Sequence, residues 1–180
     1  QGEDDETILV GPGDDFVRAG GGPDVVTDAR ADDLPSNDND TFYDGQGDDT
    51  LEAVSGSDQL YGGTQDDLLE AVDIYPHTPF APDTLSGGFG EDTLVGDDGD
   101  LMRGGEGADL FVPVIRDSAT DAVVQIEDFT VGEDLMQVEI HDPDLLRNDG
   151  TDLIQLVDLG ADGAGLVIND QPFVRLAGVS

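Results

Sequence analysis

GGFGEDTLV (Gly87–Val95) and GGEGADLFV (Gly104–Val112) obey one nine-residue rule, G-G-x-G-x-D-x-U-x, in which U is a large apolar residue. Between them, Gly96–Arg103 is one residue short but keeps Asp100 and Met102 in place. Upstream the same unit recurs, as expected of a repeat architecture. Gln1–Leu9 is a degenerate first copy, with Glu6 at the Asp position and Ile8 at the apolar one. VGPGDDFVR (Val10–Arg18), AGGGPDVVT (Ala19–Thr27), DGQGDDTLE (Asp44–Glu52), AVSGSDQLY (Ala53–Tyr61) and GGTQDDLLE (Gly62–Glu70) follow. Two 16-residue stretches, Asp28–Tyr43 and Ala71–Ser86, break the series, each two residues short of two full units. Each ends in half a unit, Asp40–Tyr43 and Asp83–Ser86. The expectation is that each break replaces two units and keeps the phase of the stack. Ile74–Pro82, with three prolines, is expected to bulge outward, because proline cannot donate to a regular ladder.

The unit has a physical reading. Glycines at its first, second and fourth positions allow a tight turn that other residues resist. The last three residues make a short strand whose central apolar side chain points inward. Val17, Val26, Leu51, Leu60, Leu69, Leu94, Met102 and Phe111 then stack in interior rows. A helix is excluded, since each glycine costs about 1 kcal/mol relative to alanine there. The predicted fold is all-β: a flattened, right-handed parallel β-roll, or β-solenoid, with two units per turn over residues 1–112. In the tail, residues 113–180, VVQIEDF (Val123–Phe129), DLMQVEI (Asp134–Ile140), DLIQLVDL (Asp152–Leu159), GLVIND (Gly165–Asp170) and PFVRLAG (Pro172–Gly178) read as strands. They are expected to form a β-rich C-terminal cap over the open apolar end of the solenoid.

Charge narrows the partners. The 180 residues carry 43 acidic and 6 basic side chains, a formal net charge of −37. Nucleic acid is excluded as a partner, because phosphate binding needs Lys and Arg. No apolar run is long enough for membrane insertion, and anionic lipid would repel the chain. Without cysteine, neither a disulfide nor a thiolate site exists, which leaves metal as the staple. Calcium suits the turns, since it accepts six to eight oxygens from carboxylates and carbonyls. Magnesium demands a tighter octahedron, and zinc prefers His or Cys, which the repeats lack. An acidic, glycine-rich tract also reads as a disordered linker, but a random tract needs no phase. The start at Gln1 rather than Met is read as a processed form or a fragment.

GGFGEDTLV and GGEGADLFV resemble the RTX (repeats-in-toxin), hemolysin-type calcium-binding nonapeptides of bacterial secreted proteins. The resemblance covers roughly Gln1–Val112 and implies a β-roll that binds several calcium ions. In that family the ligands are the sixth-position Asp and the carbonyls of the glycine turn, bridging one turn to the next on the same side. Carried over, the best site joins Asp92 and Gly87, Gly88 and Gly90 to Asp109 and Gly104, Gly105 and Gly107. Asp49, with Gly45 and Gly47, pairs with Asp67, whose turn opens with Gly62 and Gly63. Asp15, with Gly11 and Gly13, is matched to Asp33; Asp24, with Gly20 and Gly22, is matched to Asp40. Asp83 is matched to Asp100 with Gly96 and Gly99, and Asp58 completes the set. The departures are Glu6 for Asp, Val10 and Ala19 for the first glycine, and Gln65 for the fourth.

The resemblance further implies a secreted or extracellular, even cell-surface, protein exported by type I secretion machinery. The run IEDFTVGEDLM resembles the segment after the roll in such proteins, where an uncleaved secretion signal lies near the C-terminus. No catalytic role is assigned. Paired carboxylates such as Asp48-Asp49 recur in the repeats, so none is singled out, and His77 and His141 read as surface residues. Phe42, Tyr43, Tyr61, Tyr75 and Phe80 read as ordinary packing residues before they read as a sugar- or surface-binding patch. The functional expectation is a module that folds on meeting extracellular calcium. The alternatives are the C-terminal module of a secreted protease, lipase or epimerase, and a self-associating adhesin or surface-layer subunit.

Overall fold

The computed structural model describes residues 4–28, 38–73, 81–116, 122–141, 145, 154–158, 163–169 and 171–177. No helix occurs among them, and so none is long and apolar enough to cross a membrane. Successive strands alternate between two sheets, so two units make each turn. The first sheet contains β1 (Thr7–Val10), β3 (Val25–Asp28), β5 (Thr50–Ala53), β7 (Leu68–Ala71), β9 (Thr93–Gly96), β11 (Leu110–Ile115) and β13 (Leu135–Met136), with β14 (Glu139–Ile140) also on β11. The second contains β2 (Phe16–Gly21), β4 (Thr41–Gln46), β6 (Gln59–Thr64), β8 (Thr84–Phe89), β10 (Leu101–Glu106) and β12 (Val124–Ile126). All pairings in both runs are parallel.

Register puts the eighth-position residues in two straight rows. Ile8, Val26, Leu51, Leu69, Leu94, Phe111 and Met136 line up across the first sheet. Val17, Phe42, Leu60, Leu85, Met102 and Ile126 do so across the second. Most of these side chains are completely buried. This is why the repeat tolerates almost any residue between its glycines, yet always returns to a large apolar one. The rows continue beyond Val112, through β12 and β13.

Each break supplies one strand, not two units. β3 pairs directly with β5, and β2 with β4, across Asp28–Tyr43; β7 pairs with β9, and β6 with β8, across Ala71–Ser86. Equivalent aspartates are 25 residues apart across a break and 18 apart elsewhere in the early turns. A break is therefore one unit carrying seven additional residues. Lengthening a surface connection costs only about 0.6 kcal/mol per doubling, so the ladder absorbs it. Most of the proline-rich stretch, residues 74–80, lies outside the described residues, as does Asp33.

At the C-terminal end, β12 pairs in parallel with β17 (Gln171–Leu176), and β16 (Ala164–Ile168) then joins β17 and β15 (Ile154–Asp158) by antiparallel ladders. Leu166, Ile168, Phe173, Val174 and Leu176 belong to the same buried cluster as the rows of the roll. Of the aromatic residues, Phe42 is in the core. Tyr43 and Tyr61 stack on each other at 4.5 Å, while Tyr75 and Phe80 lie outside the described residues.

Phe42 belongs to a break but fills the same row as Val17 and Leu60. Phe42→Ala is expected to destabilise the calcium-loaded protein by about 3–5 kcal/mol, measured by urea unfolding. A loss below about 1 kcal/mol would show that the break stands outside the core.

Candidate metal centre

The two edges of the roll, where the chain crosses between sheets, differ in chemistry. The turns from the second sheet to the first are 19–24, 44–49, 62–67, 87–92 and 104–109, and they hold the best copies of the glycine pattern. The opposite edge holds the turn 10–15, both breaks, the turn 53–58 and the shortened unit. The sequence-predicted residues divide accordingly. Gly20, Gly22, Asp24, Gly45, Gly47, Asp49, Gly62, Gly63, Asp67, Gly87, Gly88, Gly90, Asp92, Gly104, Gly105, Gly107 and Asp109 share the glycine-rich edge. Gly11, Gly13, Asp15, Asp40, Asp58, Asp83, Gly96, Gly99 and Asp100 lie on the other.

On the glycine-rich edge the sixth-position carboxylates form a column. The backbone N–H of each donates to Oδ1 of the next: Glu6 to Asp24, Asp24 to Asp49, Asp49 to Asp67, Asp67 to Asp92, Asp92 to Asp109 and Asp109 to Asp134, at 2.7–3.0 Å. A second column on the other edge runs Asp15, Asp40, Asp58, Asp83, Asp100 by the same bond. These contacts correct two pairings. Asp15 meets Asp40 rather than Asp33, and Asp24 meets Asp49 rather than Asp40, because each break contributes one strand. Asp49 with Asp67, Asp92 with Asp109 and Asp83 with Asp100 sit together as the spacing suggested.

The columns differ in what their second oxygens meet. Among the described residues, every buried carboxylate oxygen without a partner lies on the glycine-rich edge: Glu6 Oε2, Oδ2 of Asp24, Asp49, Asp67 and Asp92, and both oxygens of Asp44. A buried polar atom left unpaired costs about 1–3 kcal/mol, more when charged. Stacked at the strand spacing of about 4.8 Å, adjacent carboxylates also repel by about 3 kcal/mol per pair at an effective dielectric of 20. On the opposite edge a cation stands at the shortened unit, although burial still pushes Asp97 up to about 8, Asp58 to about 7 and Asp83 to about 10. Arg116 reaches Asp97 Oδ2 at 3.4 Å, its N–H donates to Asp98, and the Asp97 N–H donates to Asp100 Oδ2 at 2.6 Å.

The glycines are steric necessities here. A Cβ on Gly45, Gly63, Gly88 or Gly105 would collide with the carbonyl oxygen of the matching glycine one turn back. One on Gly62, Gly87 or Gly104 would strike Oδ2 of its own unit's aspartate. The edge thus holds converging carbonyl and carboxylate oxygens and no nitrogen or sulfur ligand, which suits calcium. Gln65, standing where a fourth glycine would, adopts φ +82° and so preserves the turn at a conformational cost.

Sequence reasoning missed Asp44, Asp134 and the Asp97–Arg116 cluster. Asp134 extends the column beyond the last nonapeptide, inside TVGEDLM, where Gly132 and Asp134 repeat the spacing of the fourth and sixth positions. Asp44 occupies a first-glycine position, and an acid where the rule asks for glycine was the available signal.

Burial, then neighbouring carboxylates, pushes Asp44 and Asp67 up to about 8 and Asp92 up to about 6. Folded values above the unfolded one mean that the metal-free roll has its full electrostatic stability below about pH 4 and loses it as the pH rises toward 8. Metal-free protein is therefore expected to gain strand signal in far-ultraviolet circular dichroism on acidification from pH 8 to pH 4. A loss of signal over that range would contradict the burial of these groups. Gln65→Gly is expected to raise stability by up to about 1 kcal/mol, seen as a higher urea midpoint with calcium present.

A family model of the RTX calcium-binding nonapeptide repeat, in four copies, matches residues 1–27, 36–69 and 81–111. No curated protein and no solved structure matches the chain.

Proposed function

The chain belongs to the family of RTX calcium-binding nonapeptide repeats, and from this premise we propose that it is a folding switch of an exported protein, collapsed into its roll by extracellular calcium. Calcium binding by a β-roll module is the family property. The switch is the reading that one observation carries, the column of buried, unpartnered carboxylate oxygens on one edge. Without cations these oxygens oppose the stacked turns; calcium ions between successive turns convert that repulsion into the bond between them. Asp24, Asp49, Asp67, Asp92 and Asp109, with the carbonyls of their glycine turns, are the proposed ligands. The opposite column is given a smaller part in this reading, because its turns carry both breaks and the shortened unit, where Arg116 lies against Asp97.

Extracellular calcium modules bind with dissociation constants of about 10⁻⁴–10⁻³ M. At free calcium 100-fold above such a constant, each independent site adds about 2.7 kcal/mol. Two or three sites thus match the 5–15 kcal/mol of an ordinary domain. At the far lower free calcium inside a cell the chain would stay unfolded, which suits export before folding. In this reading residues 1–112 form the switch and residues 113–180 cap it and carry the export signal. The protein is destined for the outside of the cell, and the chain itself has no catalytic role.

Circular dichroism in chelator, then with rising calcium, tests this. A steep gain of strand signal between sub-millimolar and millimolar calcium, absent with magnesium, is expected. Asp92→Ala and Asp109→Ala should each move the midpoint to higher calcium, by about tenfold in concentration for each 1.4 kcal/mol lost per ion bound in the transition. A chain already folded in chelator and indifferent to calcium would refute the switch.

A further inference from the structure

Asp44 breaks the repeat where a side chain has the least room. In the turns 62–67, 87–92 and 104–109 the equivalent residue is glycine, and a Cβ there points straight at Oδ2 of the sixth-position aspartate. A side chain at this position is therefore aimed into the column. Asp44 is 3% exposed, and neither of its carboxylate oxygens has a partner. The residues at the same place in the flanking turns are Ala19 and Gly62, whose small size leaves space for it. One oxygen each from Asp24, Asp44 and Asp49 lie within 4.8 Å of one another. No other carboxylate trio among the described residues meets that criterion.

Three carboxylates converge here, where the glycine in each of those three turns leaves two. The affinity of an oxygen-ligand site for calcium is set largely by its count of charged ligands and by its rigidity. We propose that Asp44 makes the turn 44–49 the tightest calcium site of the roll, the one that fills first and from which the remaining turns order. The inference rests on the calcium-binding reading above but adds a rank among the sites. It also accounts for the departure from glycine. An acid buried without a partner is costly in the metal-free chain, and a cation held between Asp24 and Asp49 removes that cost.

Calorimetric calcium titrations of the full chain and three variants test it. Asp44→Gly restores the residue of the sister turns, Asp44→Asn keeps size and oxygen but removes charge, and Asp48→Asn removes an exposed acid from the same turn. The unaltered protein should show a first equivalent bound at least tenfold more tightly than the rest. Asp44→Gly and Asp44→Asn should weaken that first equivalent tenfold or more, with the total number of ions and the strand signal at saturating calcium unchanged. Asp48→Asn should shift it less than twofold. A first equivalent unaltered in Asp44→Asn, or a parent protein without a distinct first equivalent, overturns the assignment while leaving calcium binding intact. A parent protein that binds no calcium overturns the underlying reading as well.

Discussion

The structure depends on a single repeated contact, the backbone N–H of one turn donating to the carboxylate of the next. It locks each glycine turn to its neighbour and fixes strand register at the edge. It also forces negative charges into a file one strand spacing apart. The same bond that aligns the turns therefore makes the aligned state electrostatically costly without counter-charge. A chain carrying 43 acidic residues against 6 basic ones has too few internal cations to answer this. Cations from solution are the counter-charge that the proposed switch draws on, and in that proposal folding and ion binding are one event.

The two edges divide the labour. One keeps its glycines and its unpartnered oxygens, whereas the other accepts both seven-residue additions and the shortened unit. Insertions are cheap where the turn does not need a fixed set of converging oxygens, and ruinous where it does. At the short unit the second edge even carries its own cation, since Arg116 lies against Asp97. The roll thus combines one edge of regular glycine turns with unpartnered carboxylate oxygens and one edge that accepts changes of length.

The apolar rows serve a different end. They supply burial that does not depend on ions, and they share one buried cluster with Leu166, Phe173 and Leu176 of the C-terminal strands. The β12–β17 ladder is parallel, like the roll, and the next two are antiparallel. Beyond β17 the parallel coil thus gives way to an antiparallel meander. Hydrophobic rows and carboxylate column are complementary: the first sets which residues face in, and the second sets how the turns align at the edge.

The unit, the inward residue and the acid are legible in the chain before it folds. GGFGEDTLV and GGEGADLFV state, within nine residues, which position turns, which is buried and which is charged, because those preferences are local. It also marked Asp40–Tyr43 and Asp83–Ser86 as genuine half-units, since Phe42 and Leu85 obey the same rule. Which unit stacks on which emerges from the folded ladder alone. Within the roll, stacked aspartates lie 17 to 25 residues apart in the chain, and the entropy of a longer connection is too small to reveal the partner. That is why two units were expected in each break where the ladder has one, and why Asp24 meets Asp49. Asp44 is the sharpest case: in the sequence it is a lapse in a glycine position, and only stacking shows that the position points into the column.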